Sequence, residues 1–259
     1  MSIEQIASFS QKNSADFNQP LPLHIANLVC VRAGKAMPFA REQMSAIDKA
    51  PIKESVAVNF MGLSTDEQAD RRHHGGPLKA VHQLATSTYD KINTEFGLKV
   101  RVGTLGENLT TEAVNDLPAM NESTVCIGDV FQYGGQYGNT DNNNSVQLRI
   151  VQPRRPCYKI NDQIGQFKLN KVPNIASWVT KQGIAGWYFQ VVRDGMIHAD
   201  LPVYLIERPY PFATLEKLWQ LSNSKEKFAA KVIEPWLAIE CLEDSWKTVL
   251  AKKIRKGLY

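Results

Sequence analysis

Trp187-Tyr188-Phe189-Gln190-Val191-Val192-Arg193-Asp194-Gly195-Met196-Ile197 reads as two strands turning about Asp194-Gly195. Aromatic and β-branched residues suit a pleated, half-buried surface. Asp-Gly suits the positive φ angles at the centre of a tight hairpin turn. With the second strand continued to Ile206, this is the clearest hairpin signal in the chain. Working outward, Leu148–Val151, Val130–Tyr133, Thr124–Ile127, Val100–Val102, Ile52–Val58 and His24–Val31 are further strand candidates, separated by turn residues. Residues 32 to 51 form a long connection or a surface hairpin, and 134 to 145, rich in Gly and Asn, form a surface excursion. Many short strands with few helices predict a mainly β chain closed, or nearly closed, into a barrel.

Pro77 is expected to open a helix whose apolar positions Val81, Leu84, Thr88, Ile92 and Phe96 keep three-to-four spacing, and a short helix is expected at Pro173–Val179. Pro209-Tyr210-Pro211 then ends the strand pattern. Beyond it Leu215, Leu218 and Trp219, then Phe228 and Val232, then Trp246, Val249, Leu250 and Ile254 mark three short helices. Helices this short cannot hold a core alone, so they lean on the barrel or on a second copy of the chain in a homodimer. The expected organisation is a loose tail over 1–21, a barrel over 22–208 and a three-helix segment over 209–259.

The 259 residues are 43% apolar and 22% charged, which is ordinary globular composition and long enough for one sizeable core. A net charge of +4 is too small to imply stable nucleic-acid binding. The first twenty residues lack an apolar core behind basic residues, and runs such as Ile184–Val192 are too short to span a membrane. Cys30, Cys126, Cys157 and Cys241 form no CxxC pair, against a zinc knuckle or a disulfide scaffold. A reducing, cytoplasmic setting is expected.

One cysteine differs from the others. In Val151-Gln152-Pro153-Arg154-Arg155-Pro156-Cys157-Tyr158-Lys159, Pro153 ends a strand and Pro156 has its φ set for a first helical position. Cys157 is therefore expected in the opening turn of a helix, where backbone N–H groups with Arg154, Arg155 and Lys159 favour the thiolate. Such a cysteine is a nucleophile, a redox group or a ligand to a soft metal, the alternative being a small packed hydrophobe. Cys30, Cys126 and Cys241 read as core.

A second stretch, Gly62 to Pro77, is dense in ionisable groups and ends His73-His74-Gly75-Gly76-Pro77. Glycines before a helix start let backbone approach an anion, which makes a phosphate seat, although a tight turn needs them equally. His82 is expected on the surface or half-buried on the Pro77 helix. Glu107 either accepts a backbone hydrogen bond in its turn or touches substrate; Asp129 reads as turn chemistry. The basic end from Lys252 to Lys256 complements a helix C-terminus.

Taken in order, Asp66-Glu67-Gln68-Ala69-Asp70, His74-Gly75-Gly76-Pro77 with Lys79 and Ala80, Gly106-Glu107-Asn108-Leu109, Ile127-Gly128-Asp129 and Pro153-Arg154-x-Pro156-Cys157-Tyr158-Lys159 resemble the MOSC domain family. The family is named for the C-terminal region of molybdenum-cofactor sulfurase. The resemblance, over about 22 to 255, is narrower to YiiM-type members, whose barrel precedes three helices. It implies a β-barrel, a molybdenum cofactor with Cys157 as sulfur ligand to the metal, and reduction of N-hydroxylated compounds such as hydroxylaminopurine bases. Beside it, the residues themselves suggest that Arg72, Gly75, Gly76, Lys79, Asn108, Arg154 and Lys159 hold the cofactor, with His74 supplying protons. His73 beside His74, Arg155 beside the cysteine and the Asn-rich stretch at 138–145 depart from the family pattern. Arg155 is expected to bias the site toward anionic substrates.

No nucleotide-binding or iron–sulfur cysteine pattern is present, so electrons are expected from a separate protein. A module carrying a persulfide on Cys157 and a barrel in which the cysteine merely packs are the competing expectations.

Overall fold

A computed structural model describes residues 19–70, 75–114, 116–135, 145–165 and 173–255. The strands are β1 (Leu23–Ala33), β2 (Met37–Phe39), β3 (Gln43–Ser45), β4 (Ala50–Pro51), β5 (Val56–Asn59), β6 (Gly62–Leu63), β7 (Val81–Gln83), β8 (Leu109–Ala113), β9 (Val130–Tyr133), β10 (Val146–Pro153), β11 (Trp187–Arg193), β12 (Gly195–Ile197) and β13 (Pro202–Glu207). The α-helices are α1 (Thr86–Phe96), α2 (Lys159–Gly165), α3 (Ile175–Gln182), α4 (Leu215–Asn223), α5 (Ala230–Leu237) and α6 (Asp244–Ala251).

Seven strands close a ring in the order β13, β9, β10, β11, β7, β8, β1, with β1 pairing back onto β13 and β4 hanging from β1. All contacts in the ring are antiparallel except that of β7 with β8. Closure removes the exposed sheet edges a seven-stranded open sheet would have. Register shifts in β1, between His24 and Ala26 and between Leu28 and Cys30, bend this long strand so that one chain segment pairs with β13 at one end and β8 at the other. Phe131, Tyr133, Leu148, Ile150, Trp187 and Phe189 fill the interior, with Phe131 and Phe189 packed edge-on at 6.1 Å.

The strand pattern gave the right class but the wrong partners for its own starting stretch. β11 and β12 do not pair: β11 lies between β10 and β7, while β12 pairs with β5 in a separate three-stranded sheet. Gly195 has a positive φ of 155°, but Asp194 does not share it, so the two-residue hairpin turn never forms. The expected helix at Pro77 is likewise a single 3-10 turn over Pro77–Lys79, followed by strand β7; the helix begins at Thr86. Val100–Val102 forms no strand, and Thr124–Ile127 contributes only the bridge from Cys126 to Thr214. The excursion after Gly135, over 136–144, lies outside the described residues.

The C-terminal helices lean on the barrel. Leu218, Trp219, Ile233, Trp236, Trp246 and Leu250 are buried in the same cluster as the barrel residues. A second cluster, with Tyr89, Ile92, Leu105, Ile160, Ile164 and Val179, packs α1, α2 and α3 together. Among the described residues no helix is long and apolar enough to cross a membrane.

Candidate functional site

β10 ends at Pro153, whose ring leaves no N–H for a further ladder bond, and Arg154 turns out of the sheet with its N–H on the Gly186 carbonyl at 2.9 Å. α2 starts at Lys159, so Cys157 stands just ahead of the helix rather than in its first turn, and its carbonyl accepts the Ile160 N–H at 3.2 Å. Half-buried, Cys157 lines a hollow of about 620 Å³ open to solvent, together with Arg154, Lys159, Lys79 and Asn108. Arg155 turns the other way: its guanidinium lies 4.2 Å from the ring centre of Trp246, and Nη1 reaches Ser245 Oγ at 3.4 Å. The expectation that Arg155 charges the site is thereby corrected, because its side chain is held on the C-terminal segment.

Arg154 is 5% exposed and donates through Nη1 to the Leu105 carbonyl at 2.8 Å, while its buried Nε has no acceptor among the described residues. A buried donor without a partner costs about 1–3 kcal/mol, and an anionic oxygen entering the hollow would satisfy it. Lys159 reaches the Met44 carbonyl at 2.8 Å across the rim. Lys79 comes from the Pro77–Lys79 turn, which the Gln152 side-chain amide ties to β10 through the Leu78 carbonyl at 2.9 Å. Gly75 and Gly76 lead into that turn without lining the hollow; Gly76 has φ 94° and its carbonyl accepts the Lys79 N–H at 2.9 Å. Asn108 is a scaffold residue as well as a lining one. Its Nδ2 donates to the Arg32 carbonyl and to Asp66 Oδ2, both at 3.0 Å, and its Oδ1 accepts the His82 N–H at 3.0 Å. Arg72 and His74, with His73, lie outside the described residues.

Two of the weaker expectations resolve as structural. Glu107 is fully buried and accepts from Tyr89 Oη and the Gly103 N–H, both at 2.6 Å, and burial raises its carboxyl above the usual range. Asp129 accepts the Cys126 N–H at 2.9 Å within its turn and forms an ion pair with Arg208 at 2.6 Å. Cys126 is buried, with its thiol pushed up to about 12 by desolvation, while Cys30 and Cys241 are only partly buried.

The structure adds Lys49, which the sequence did not single out, and gives Asp66 and His82 a place in the site. Lys49 and Asp66 form an ion pair in the wall of the hollow, with side chains 9% and 6% exposed. Nζ lies 2.6 Å from Asp66 Oδ2 and also contacts Oδ1, and Asp66 Oδ1 accepts the Gly34 N–H at 2.7 Å. Burial lowers the Lys49 pKa despite the carboxylate beside it. His82, on β7, is buried rather than on the surface. Its Nε2 is 3.1 Å from the Ala185 carbonyl and Nδ1 3.4 Å from that of Gly106, and its ring packs on Tyr188 at 5.3 Å. Burial and then Arg154 hold His82 well below the ordinary imidazole value, so the ring is neutral. Burial raises the Tyr188 phenol, which keeps its proton.

The outer wall comes from the connection between β1 and β4, which is indeed a surface hairpin. β2 and β3 clasp the start of α2: Tyr158 Oη donates to Gln43, Arg41 forms an ion pair with Asp162 at 2.8 Å, and the Arg41 guanidinium lies 5.0 Å from the Tyr158 ring centre. Behind it, Ser45 to Ile47 and Lys49 line the hollow. Gly106, at φ 83°, lets this wall close in, since a Cβ there would stand 2.9 Å from Ile47 Cγ1.

Comparison with known proteins fits this geometry. The sequence profile of the MOSC domain matches residues 70–204. Protein YiiM of Escherichia coli strain K12 is 30% identical over 235 residues, covering 88% of the chain and 93% of that protein. A protein called Reductase from Gibberella moniliformis is 31% identical over 221 residues, 83% of the chain but 34% of that much longer protein. Among solved structures, a hypothetical protein superposes with a TM-score of 0.67 at 25% identity over 91% of this chain and 94% of that one. YiiM from Geobacillus stearothermophilus has the same fold, at 0.65 and 21% identity over 89% and 100% of the two chains.

Proposed function

The chain belongs to the MOSC domain family, and on that ground we propose that its hollow holds a molybdenum cofactor and reduces N-hydroxylated compounds. The observation that carries this reading is that Cys157, Lys79, Lys159 and Arg154, whose buried Nε has no acceptor among the described residues, line one hollow. A thiol suits a soft metal, and fixed cations suit a phosphate. The residues present therefore fit a phosphorylated pterin bearing a thiophilic metal.

When bound, the group would supply the two-electron chemistry that breaks an N–O bond. The chain's own contribution is to bind and orient. Cys157 would be the thiolate ligand, and Arg154, Lys159 and Lys79 would hold anionic oxygens; Arg72 is proposed as a further donor. Asn108 acts by holding His82 and Asp66 in place. His74 supplies one of the two protons such a reduction consumes. Electrons come from a separate flavin- or iron–sulfur-bearing protein. The long Gibberella relative supports an oxidoreductase role, since it is named Reductase.

The test is to produce the chain in a host that makes the cofactor and to measure molybdenum and pterin per chain, with X-ray absorption at the metal for wild type and Cys157→Ser. The expected result is a near-stoichiometric metal in wild type and one sulfur ligand fewer in the variant. Wild type lacking both molybdenum and pterin, or carrying an added sulfur on Cys157 instead, would overturn the reading.

A further inference from the structure

Reduction of an N–OH group breaks the N–O bond and takes two electrons and two protons, releasing an amine and water. One proton must reach the departing oxygen as it becomes water. The groups around the hollow differ in how a proton could be offered. A guanidinium does not give up its proton. Lys159 sits at the rim with one N–H on the Met44 carbonyl, and Lys79 stands on the Pro77–Lys79 turn. His82 faces carbonyl oxygens on both sides and is neutral, and Tyr188 is buried with its phenol raised.

Lys49 is placed differently. Two of its three N–H groups are fixed by Asp66 Oδ1 and Oδ2, and Asp66 is itself anchored by the Gly34 N–H and by Asn108. The third N–H has no acceptor among the described residues, and the side chain lines the hollow that Cys157 also lines. The ammonium is thus held by a carboxylate clamp with one proton left over.

Resting on the reductase reading above, we propose that Lys49 is a catalytic residue, the acid that delivers a proton to the oxygen leaving the N-hydroxylated substrate. The second proton goes to nitrogen, the two electrons come from the flavin- or iron–sulfur-bearing donor protein, and the Lys49 amine is reprotonated from water in the hollow. The charged and titratable groups that face Lys49 are Asp66 after β6, Glu107 before β8, Arg154 after β10 and His82 on β7. Burial and, after it, Arg154 favour release of the proton, and Asp66 opposes it.

The first measurement needs neither cofactor nor substrate. Acetic anhydride labelling of the chain across a pH series, read by mass spectrometry, should find the Lys49 amine becoming reactive at lower pH than the exposed lysines; titration together with them overturns the proposal. The second uses cofactor-loaded enzyme with viologen as electron source and a hydroxylaminopurine as substrate. Lys49→Arg keeps a cation against Asp66 but cannot release a proton, so kcat should fall about 100-fold with molybdenum content unchanged and the alkaline limb of the pH profile should vanish. Wild-type kcat and limb in that variant overturn the proposal. Asp66→Asn serves where Lys49→Arg does not fold: the limb should move to lower pH, and an unmoved limb counts against Lys49. If wild-type enzyme reduces no N-hydroxylated compound, the reductase reading fails, whereas the labelling result still reports on Lys49.

Discussion

The guanidinium of Arg155 lies 4.2 Å from the ring centre of Trp246, joining the loop that carries Cys157 to the last helix of the C-terminal segment. Trp246 is 2% exposed, packs on Trp219 at 5.6 Å and belongs to the buried cluster that the helices share with the barrel.

Arg155→Ala should lower stability by about 0.5–1 kcal/mol, the worth of an exposed cation–π contact, and leave molybdenum loading unchanged. Trp246→Ala removes a buried indole and should cost about 3–5 kcal/mol. Urea denaturation compares the two. Equal, small losses would mean that the C-terminal helices are only loosely attached.

Asp129 and Arg208 form the buried pair that fixes the turn ahead of β9, with Arg208 Nε and Nη2 donating to the carboxylate at 2.9 and 2.6 Å. Asp129→Ala takes the carboxylate from a mostly buried guanidinium and the acceptor from the Cys126 N–H. A loss of about 1–3 kcal/mol is expected, because a buried backbone donor loses its acceptor and Arg208 loses its carboxylate. A shift in urea midpoint corresponding to under 1 kcal/mol would contradict it.

Gly34 is small for a different reason from the positive-φ glycines. A Cβ there would lie 2.6 Å from the Ala46 carbonyl oxygen and 2.8 Å from that of Asp48, both backbone. Gly34→Ala must push the 46–49 segment outward, and the clamp on Lys49 with it, at a cost of about 1–3 kcal/mol. Hydrogen exchange should show the added opening between Ser45 and Pro51 while β9 and β10 stay protected.

The contrast between Cys157 and Lys49 shows what the chain declares locally. Arg154 sits between Pro153, which ends a strand, and Pro156, and Cys157 follows Pro156 just ahead of a helix, so the corner is legible from spacing. Lys49, 17 residues before Asp66, meets it because the chain after β3 returns to pair β4 with β1, and no local pattern marks that pairing. His82 was misplaced because Val81, Leu84, Thr88, Ile92 and Phe96 keep a helical period across a strand and a helix; a three-residue strand is too short to impose its own alternation. Asp194-Gly195 carried a turn signal that tertiary pairing overrode, since β12 finds β5 instead of β11.

His82 gives a pH dependence whose sign can be worked out. The folded chain holds the ring neutral, with Nε2, the closer nitrogen, donating to the Ala185 carbonyl at 3.1 Å. In the unfolded chain the ring takes up a proton near the ordinary value of about 6.5. The unfolded state therefore binds more protons as pH falls, and the stability that His82 contributes is complete above that value and lost below it. The loss is at most about 1.4 kcal/mol per pH unit, so stability should fall between pH 7 and pH 5. Urea denaturation of wild type and His82→Gln at the two pH values isolates this from the other titrating groups. The variant should be less stable at pH 7 and should lose less stability than wild type on acidification; parallel losses in both proteins would mean that His82 is protonated in the folded chain, bridging the Ala185 and Gly106 carbonyls as an imidazolium.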